Sequence, residues 1–166
     1  MDILKSALEW TRAEIFSSTF FIVFGIVFVV ASIGFWQLGK TEMARAFIWP
    51  TLVAGVLLLI IGIGLVAVNN SRLSSFATAY ETDPTEFVQS EIARTERTIG
   101  EYQTVVFKAI PIIIIVAALM ILLLNSPLWR AIGITTIAMM AVILLIDTNA
   151  SNRIEAYHEQ LELVGR

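Results

Sequence analysis

The sequence predicts an all-α integral membrane protein with four transmembrane helices in two antiparallel hairpins, and with the same helices extended into a cytosolic four-helix stalk. Four apolar runs lie at residues 18–38, 47–68, 105–124 and 128–146, and each is close to the ~20 residues needed to cross a hydrocarbon core. The composition agrees, because 57% of the residues are apolar, 15% are charged and the mean hydropathy is +0.81. Apolar side chains also continue at helical spacing beyond the runs, which predicts the stalk.

The length and charge of the chain limit its organisation and its partners. About half of the 166 residues fall in the apolar runs, so residues 1–166 are predicted to form a single transmembrane domain. A net charge of −3 without clustered Lys and Arg argues against a nucleic-acid partner. The absence of cysteine excludes disulfides and thiolate metal sites.

The first apolar run is predicted to be a retained helix rather than a cleaved signal sequence. Asp2, Glu9 and Glu14 precede it. Only Lys5 and Arg12 oppose them, so the segment lacks the net positive charge typical of a signal sequence. A helical seam with a 4-3-4 spacing leads into the run and consists of Leu4, Leu8, Thr11 and Ile15.

The turn after the first run indicates how the second helix begins. Gly39 can end one helix, Thr41 can cap the next, and Glu42 lies in its first turn. Pro50 lies at least one turn inside that second helix, which predicts a bend. A seam with a 3-4 spacing follows the second run and consists of Leu73, Phe76 and Tyr80.

The third helix is predicted to begin well before its apolar run. Asp83 is a capping residue and Pro84 suits the first helical position. A continuous helix from Pro84 to Leu124 would be about 60 Å long, so roughly half of it would project beyond a ~30 Å hydrocarbon core. Pro111 removes a backbone donor and predicts a kink. The projecting part carries a heptad seam at Val88, Ile92, Thr95, Ile99, Tyr102 and Val106.

The turn between the third and fourth runs predicts a tight antiparallel hairpin. Ser126 can cap the fourth helix, and Pro127 occupies its first turn, where a missing N–H costs nothing. The fourth helix continues into a tail seam at Ala150, Ile154, Tyr157, Leu161 and Val164. Because isolated helices of this length are marginal in water, the four seams are predicted to pack on each other or on a partner.

The distribution of cations predicts the orientation. Eight of the eleven Lys and Arg lie on the side of the two termini and the central segment. The positive-inside rule therefore places residues 1–16, 69–104 and 147–166 in the cytoplasm. The predicted location is a cell membrane, in particular a bacterial inner membrane, with several passes and both termini cytoplasmic. Three tryptophans are predicted to mark the opposite interface: Trp36, Trp49 and Trp129.

The interior of the four runs offers almost no ionisable group, although such groups usually mark function within lipid. Glu14 precedes the first run, Asp147 follows the fourth, and the single histidine, His158, is in the tail. These positions disfavour a coupled multidrug transporter, a two-aspartate signal peptidase and a haem protein. The remaining polar side chains within the runs can bond back to their own helices, and include Ser32, Thr135 and Thr136.

Charged side chains at the predicted cytosolic mouth form the best candidate site. Ion pairing between stalk helices is the favoured interpretation, and a ligand-binding or catalytic site is the alternative. Glu91 and Arg94 are three residues apart and can pair on one helix face. Arg97 and Glu101 are four residues apart and can pair in the same way. No catalytic residue is assigned, and the sequence predicts neither a cofactor nor a metal site. The candidate residues are Arg94, Arg97, Glu101, Asp147, Arg153 and His158.

Glycines are the residues that allow helices to approach closely in lipid. The sequence leaves open whether these glycine surfaces pack against each other within one chain or between protomers. In the apolar runs they are Gly25, Gly34, Gly55, Gly62, Gly64 and Gly133.

The favoured function is that of a non-enzymatic inner-membrane protein that acts through helix–helix association, either as an accessory or scaffold subunit or as an immunity-type binder. Its partners would be the lipid bilayer and another membrane protein, or copies of itself. The plan of four spans without intramembrane chemistry resembles that of immunity proteins that protect bacteria from pore-forming toxins. A small oligomeric channel or passive transporter, lined by Ser32, Thr135 and Thr136, is the first alternative. A cytosolic-face ligand site or enzyme is the second.

Overall fold

The fold is helical throughout the residues that the computed structural model describes, Ile3–Gly165. Four helical rods are long and apolar enough to cross a membrane, which confirms the predicted number of apolar helices. The elements in chain order are α1 Ile3–Leu38, α2 Glu42–Ala46, α3 Ile48–Thr82, α4 Pro84–Glu101, a π-helical segment Tyr102–Ala109, α5 Ile110–Leu123 and α6 Pro127–Gly165. We refer to residues 3–17, 69–104 and 147–165 as the charged half of the bundle and to the remainder as the apolar half.

Helices α1 and α3 pack on each other along most of their length and run in opposite directions. The Ser32 hydroxyl donates to the carbonyl of Ile48 at 2.7 Å. Further along, a Cβ built on Gly55 would lie only 2.8 Å from the carbonyl oxygen of Gly25, so the two backbones touch. This contact needs glycine on both helices.

Other glycines divide into those that touch a neighbouring helix and those that do not. A Cβ on Gly62 would lie 2.9 Å from the Ile22 nitrogen, and one on Gly133 would lie 2.9 Å from the Ala117 carbonyl oxygen. The glycine surfaces on α1, α3 and α6 therefore close one bundle. Three glycines have nothing within 4 Å of a built Cβ in the described chain: Gly34, Gly64 and Gly100.

The connection between α1 and α3 differs from the predicted bend at Pro50. Thr41 caps α2 as predicted, and its hydroxyl accepts from the Ala44 N–H at 3.1 Å. The helix is then interrupted at Phe47, so Pro50 falls in the first turn of α3. Because the first-turn N–H groups have no partner within the helix, the proline costs no hydrogen bond there.

The third rod runs without interruption from Pro84 to Leu123, close to the predicted length. Asp83 caps it as predicted. Ahead of Pro111, where a kink was expected, the rod changes to the π-helical segment. The N–H of Ile110 bonds to the Val105 carbonyl, five residues back. The wider turns thus end immediately before the proline that cannot donate.

The charged half forms one core within the chain, so the four seams pack on each other. The α6 seam is confirmed except at Val164, which is 49% exposed because it lies in the last turn. The predicted α1 seam is confirmed at Thr11, which is fully buried, whereas Leu4, Leu8 and Ile15 are only half-buried. The small side chain of Ala7 lets α1 approach its neighbours, and the adjoining core positions are occupied by Ile3, Trp10 and Glu14.

The third rod has fewer neighbours in the apolar half than in the charged half. Helix α5 packs on α6, whereas none of its Cα atoms comes within 8 Å of α1 or α3 in the described chain. The same holds for the π-helical segment. A lateral crevice is therefore left between α3 and the third rod, with α1 and α6 behind it.

Candidate functional site

Trp10 lies at the centre of the charged half and is sandwiched between polar and aromatic groups. Its ring stacks on Tyr157, with 5.4 Å between the ring centroids and an interplanar angle of 12°. The guanidinium carbon of Arg94 lies 4.6 Å from the Trp10 ring centroid, and that of Arg72 lies 5.9 Å away. Such cation–π contacts hold two arginines over an 8% exposed indole.

Glu91 lies on the third rod and bonds to two side chains of this cluster, Arg94 and Tyr157. Its carboxylate accepts from Arg94 in a bidentate arrangement, at 2.7 Å from Nε and 2.6 Å from Nη2. It also accepts from the Tyr157 hydroxyl at 3.1 Å. Burial raises the pKa of Tyr157 above its ordinary value, and the charge of Glu91 raises it further. The tyrosine therefore stays protonated and acts as a donor.

A second ion pair links the first and last rods. Arg153 donates to Glu14 Oε1 from Nε at 3.0 Å and from Nη2 at 2.8 Å. Glu14 is only 9% exposed. Burial raises the pKa of Glu14, although the Arg153 charge and hydrogen bonds act in the opposite direction. The carboxylate therefore depends on its arginine for compensation.

His158 is held by two side chains. Its Nδ1 lies 2.7 Å from the Thr95 hydroxyl oxygen, and its Nε2 lies 3.5 Å from Glu162. The Thr95 hydroxyl has one proton, and the carbonyl of Glu91 lies 2.8 Å away as an acceptor. If Thr95 donates this proton to the carbonyl, its oxygen can only accept from His158, so Nδ1 carries a proton and donates it to Thr95. His158 thus ties α6 to α4.

The lateral crevice is the largest cavity that we describe, with a volume of about 510 Å³. Its walls in the apolar half come from every rod and consist of Phe21, Ile61, Leu65, Val105, Val106, Ile110, Ile113, Met140 and Ile143. Polar side chains lie only at the end next to the charged half, and they are Thr98, Glu101, Tyr102 and Asp147. The cavity is therefore amphipathic along its length.

The two carboxyl groups in the crevice differ from the other acids of the site in having no partner. Neither Glu101 nor Asp147 makes an ion pair or a hydrogen bond with another of residues 3–165. Burial raises the pKa of Asp147 from its ordinary 3.8 to about 7, and the nearby charge of Glu14 adds to the effect. Burial also raises the pKa of Tyr102, and the charge of Asp147 raises it further.

The six predicted site residues therefore fall into three groups. Arg94 and Arg153 form ion pairs with Glu91 and Glu14, as the ion-pairing interpretation expects, and His158 makes a hydrogen bond with Thr95. Glu101 and Asp147 line the lateral crevice. Arg97 is exposed, and the predicted Arg97–Glu101 pair does not form. The residues of the first group have side-chain partners, whereas the two crevice acids have none among residues 3–165.

Sequence reasoning did not assign a role to several residues of this site. Ala7, Trp10 and Glu14 follow one another at intervals of three and four residues, so they lie on one face of α1. This spacing could have marked Trp10 and Glu14 as core positions. Tyr102 was assigned only to a seam. The positions of the crevice residues depend on which rods are neighbours, which no local spacing records.

The hydroxyls considered as a channel lining do not share one path. Thr135 and Thr136 line a second cavity of about 290 Å³ between α3 and α6, near Trp49. The Thr135 hydroxyl is buried without a partner among residues 3–165. Ser32 is bonded to the Ile48 carbonyl and does not line that cavity.

No protein-family profile, curated protein or solved structure matches this chain.

Proposed function

We propose that the chain forms one integral membrane domain, with the apolar half in the bilayer as two antiparallel hairpins and the charged half in the cytoplasm. The large apolar side chains that the bundle leaves uncovered support this, since Ile60 is 63% exposed and Leu122 is 76% exposed. Burying these side chains in lipid removes apolar surface whose exposure to water is unfavourable. Exposed Trp36 and Trp49 at the far end suit an interface. The cation bias supports a bacterial inner membrane with cytoplasmic termini.

The proposed function is the non-enzymatic binding of an amphipathic molecule that enters the lateral crevice from the bilayer. The observation that carries it is the amphipathic crevice of about 510 Å³ between α3 and the third rod. This volume lies within the range of small-molecule sites, which are typically apolar with a few placed polar groups. The crevice has that lining, and the missing contact between α5 and α3 leaves it open on the side that would face lipid.

Two matched tryptophan variants test the proposed function. Ile113, which is 40% exposed, lines the crevice, whereas its neighbour Ile112 is 60% exposed and does not line it. We expect Ile113→Trp to fill the cavity and to lower ligand occupancy about tenfold, because overpacking by 1–3 kcal/mol corresponds to that factor or more. Ile112→Trp should leave occupancy unchanged. The measurement is photocrosslinking of the protein in vesicles by a phospholipid with a diazirine on its acyl chain, with peptide mapping of the adducts.

Equal labelling of the crevice walls in both variants, or no labelling of those walls in the native chain, would contradict this function. Adducts on outward residues of α5 are expected in all samples and serve as the internal standard. The ratio of crevice adducts to outward adducts is therefore the quantity to compare.

Helix–helix association is the second candidate, and Gly64 is the observation that favours it. Glycines elsewhere on α3 touch another helix, but Gly64 is exposed with nothing near a built Cβ. Exposed Ile60 and Val68 flank it one turn away on each side. A small residue between β-branched ones lets a second helix approach closely in lipid. We assign this face to a second copy of the chain.

Single-cysteine variants test the association, because the chain has no cysteine of its own. Gly64→Cys should crosslink at twice the monomer mass in native membranes after mild oxidation. Ile63→Cys, which is exposed about 100° around the helix, is the control and should not. A product of another mass would show association with a different membrane protein. Monomer alone for both variants would remove this candidate.

A further inference from the structure

The polar end of the lateral crevice has an excess of negative charge. Glu101 and Asp147 line it without partners among residues 3–165. Tyr102 lies beside these two acids, and the charges of Asp147, Glu14 and Glu101 all raise its pKa. Only the charge of Arg153, which is paired with Glu14 at 2.8 Å, lowers that pKa. Carboxyl groups therefore outnumber guanidinium groups around Tyr102. An anionic head group would be repelled from this end.

We propose that the crevice binds a molecule with an apolar chain and a primary-ammonium head, which lies between the carboxyl groups of Glu101 and Asp147. This rests on the proposed function and names the class of its ligand. The chain of the ligand lies against Ile110, Ile113 and Met140, towards the centre of the apolar half.

The hydrogen-bonding capacity of the crevice favours a primary ammonium over other cations. An ammonium has three donors and no acceptor. The Thr98 hydroxyl already donates to the Arg94 carbonyl at 2.9 Å, so its free lone pair adds an acceptor to those of the two carboxyl groups. A quaternary ammonium has no donor and is recognised by aromatic cages. Only Phe21 and Tyr102 are aromatic among the lining residues.

The position of the carboxyl groups along the bundle also suits an amphipathic amine. Asp147 directly follows the fourth apolar run, and Glu101 precedes the third. Both would lie at the level of lipid head groups, while the apolar walls would lie at the level of acyl chains. A membrane aminophospholipid and a free long-chain amine share this chemistry.

The experiment measures which molecules the full-length protein retains. The protein is reconstituted in vesicles of equal parts phosphatidylethanolamine, phosphatidylcholine and phosphatidylglycerol, extracted in mild detergent, and its bound lipid is counted by native mass spectrometry. We expect phosphatidylethanolamine to be enriched about tenfold over phosphatidylcholine, the factor for one hydrogen bond to a charged group. A second arm adds dodecylamine or dodecanol to protein in phosphatidylglycerol vesicles. Enrichment in the first arm alone assigns a lipid, and retention of dodecylamine alone assigns a free amine.

Charge-removing variants locate the head group. Asp147→Asn and Glu101→Gln should each lower amine retention about tenfold, since each removes a charged acceptor. Glu96→Gln should not lower retention, because Glu96 is exposed on α4 like Glu101 but does not line the crevice. If either acid had a structural role, its replacement would lower the stability of the protein instead.

The pKa of Asp147 gives a test of this alternative. Because burial raises that pKa to about 7, the charge of Asp147 lowers the stability of the native protein as pH rises from 3.8 through 7. Asp147→Asn should therefore raise the melting temperature at pH 8.

The outcomes separate the two proposals. Equal retention of the three lipids, with crevice labelling still lost in Ile113→Trp, would overturn the ammonium head group and leave the binding function standing. No crevice labelling at all would overturn both. Unchanged amine retention in Asp147→Asn and Glu101→Gln would also overturn the proposed head-group position.

Discussion

Replacing Arg153 by Met is expected to destabilise the protein by about 3 kcal/mol, the low end of the cost of leaving a buried charge without its partner. Arg153 gives two donors to one oxygen of Glu14, which is 9% exposed. Without the Arg153 guanidinium the buried carboxylate loses both of its side-chain hydrogen bonds and its nearest positive charge. The change is measured by equilibrium unfolding in detergent micelles, followed by far-ultraviolet circular dichroism.

The pH dependence of this loss has a definite sign. Removal of Arg153 raises the pKa of Glu14 further, since its charge and hydrogen bonds lower that pKa in the native chain. A protonated Glu14 is neutral and less costly to bury, so the deficit shrinks as pH falls. The double variant Glu14→Gln with Arg153→Met should be more stable than Arg153→Met alone.

The control for this prediction is the exposed pair Lys5–Glu9, at 3.9 Å with both side chains more than half exposed. Glu9→Gln should change the unfolding free energy by less than about 0.5 kcal/mol, because solvent screens such pairs. Similar losses in Arg153→Met and Glu9→Gln would show that Glu14 is not buried in the folded protein.

Replacing Gly55 by Ala is expected to cost about 2 kcal/mol. The new methyl group would lie 2.8 Å from the Gly25 carbonyl oxygen and 2.9 Å from the Val29 nitrogen. These are backbone atoms, which cannot rotate away, so α1 and α3 must move apart and lose packing. The same micelle unfolding assay measures the loss.

Gly34→Ala is the matched control on α1, since nothing lies within 4 Å of its built Cβ. It should be neutral or stabilising by up to about 1 kcal/mol, because alanine favours a helix over glycine. A loss in Gly34→Ala equal to that in Gly55→Ala would mean that glycine matters for helix flexibility and not for close contact.

Local sequence signals placed several boundaries correctly because capping depends on neighbours in the chain. Thr41 and Asp83 begin helices where their side chains can accept from nearby N–H groups. Pro50 misled because proline fits a first turn as well as a bend, and only the interruption at Phe47 distinguishes the two.

The α1 seam shows why the buried site was harder to predict than its helices. An apolar spacing gives no weight to Glu14, although that residue occupies the core position one turn from Trp10. A buried carboxylate is acceptable only with a partner, and its partner is 139 residues away in the chain. The lateral crevice had no signal for a related reason, since it arises from the absence of α5 contacts with α3.

The same separation of 139 residues between Glu14 and Arg153 has a consequence for synthesis. At about 5–20 residues per second, a ribosome needs roughly 7–28 s to pass from the glutamate codon to the arginine codon. During that interval Arg153, which gives both side-chain hydrogen bonds to Glu14, has not been made. The charges of Arg72 and Arg94, which also lower the pKa of Glu14, come from earlier helices. The Glu14–Arg153 ion pair therefore forms only when α6 joins the bundle.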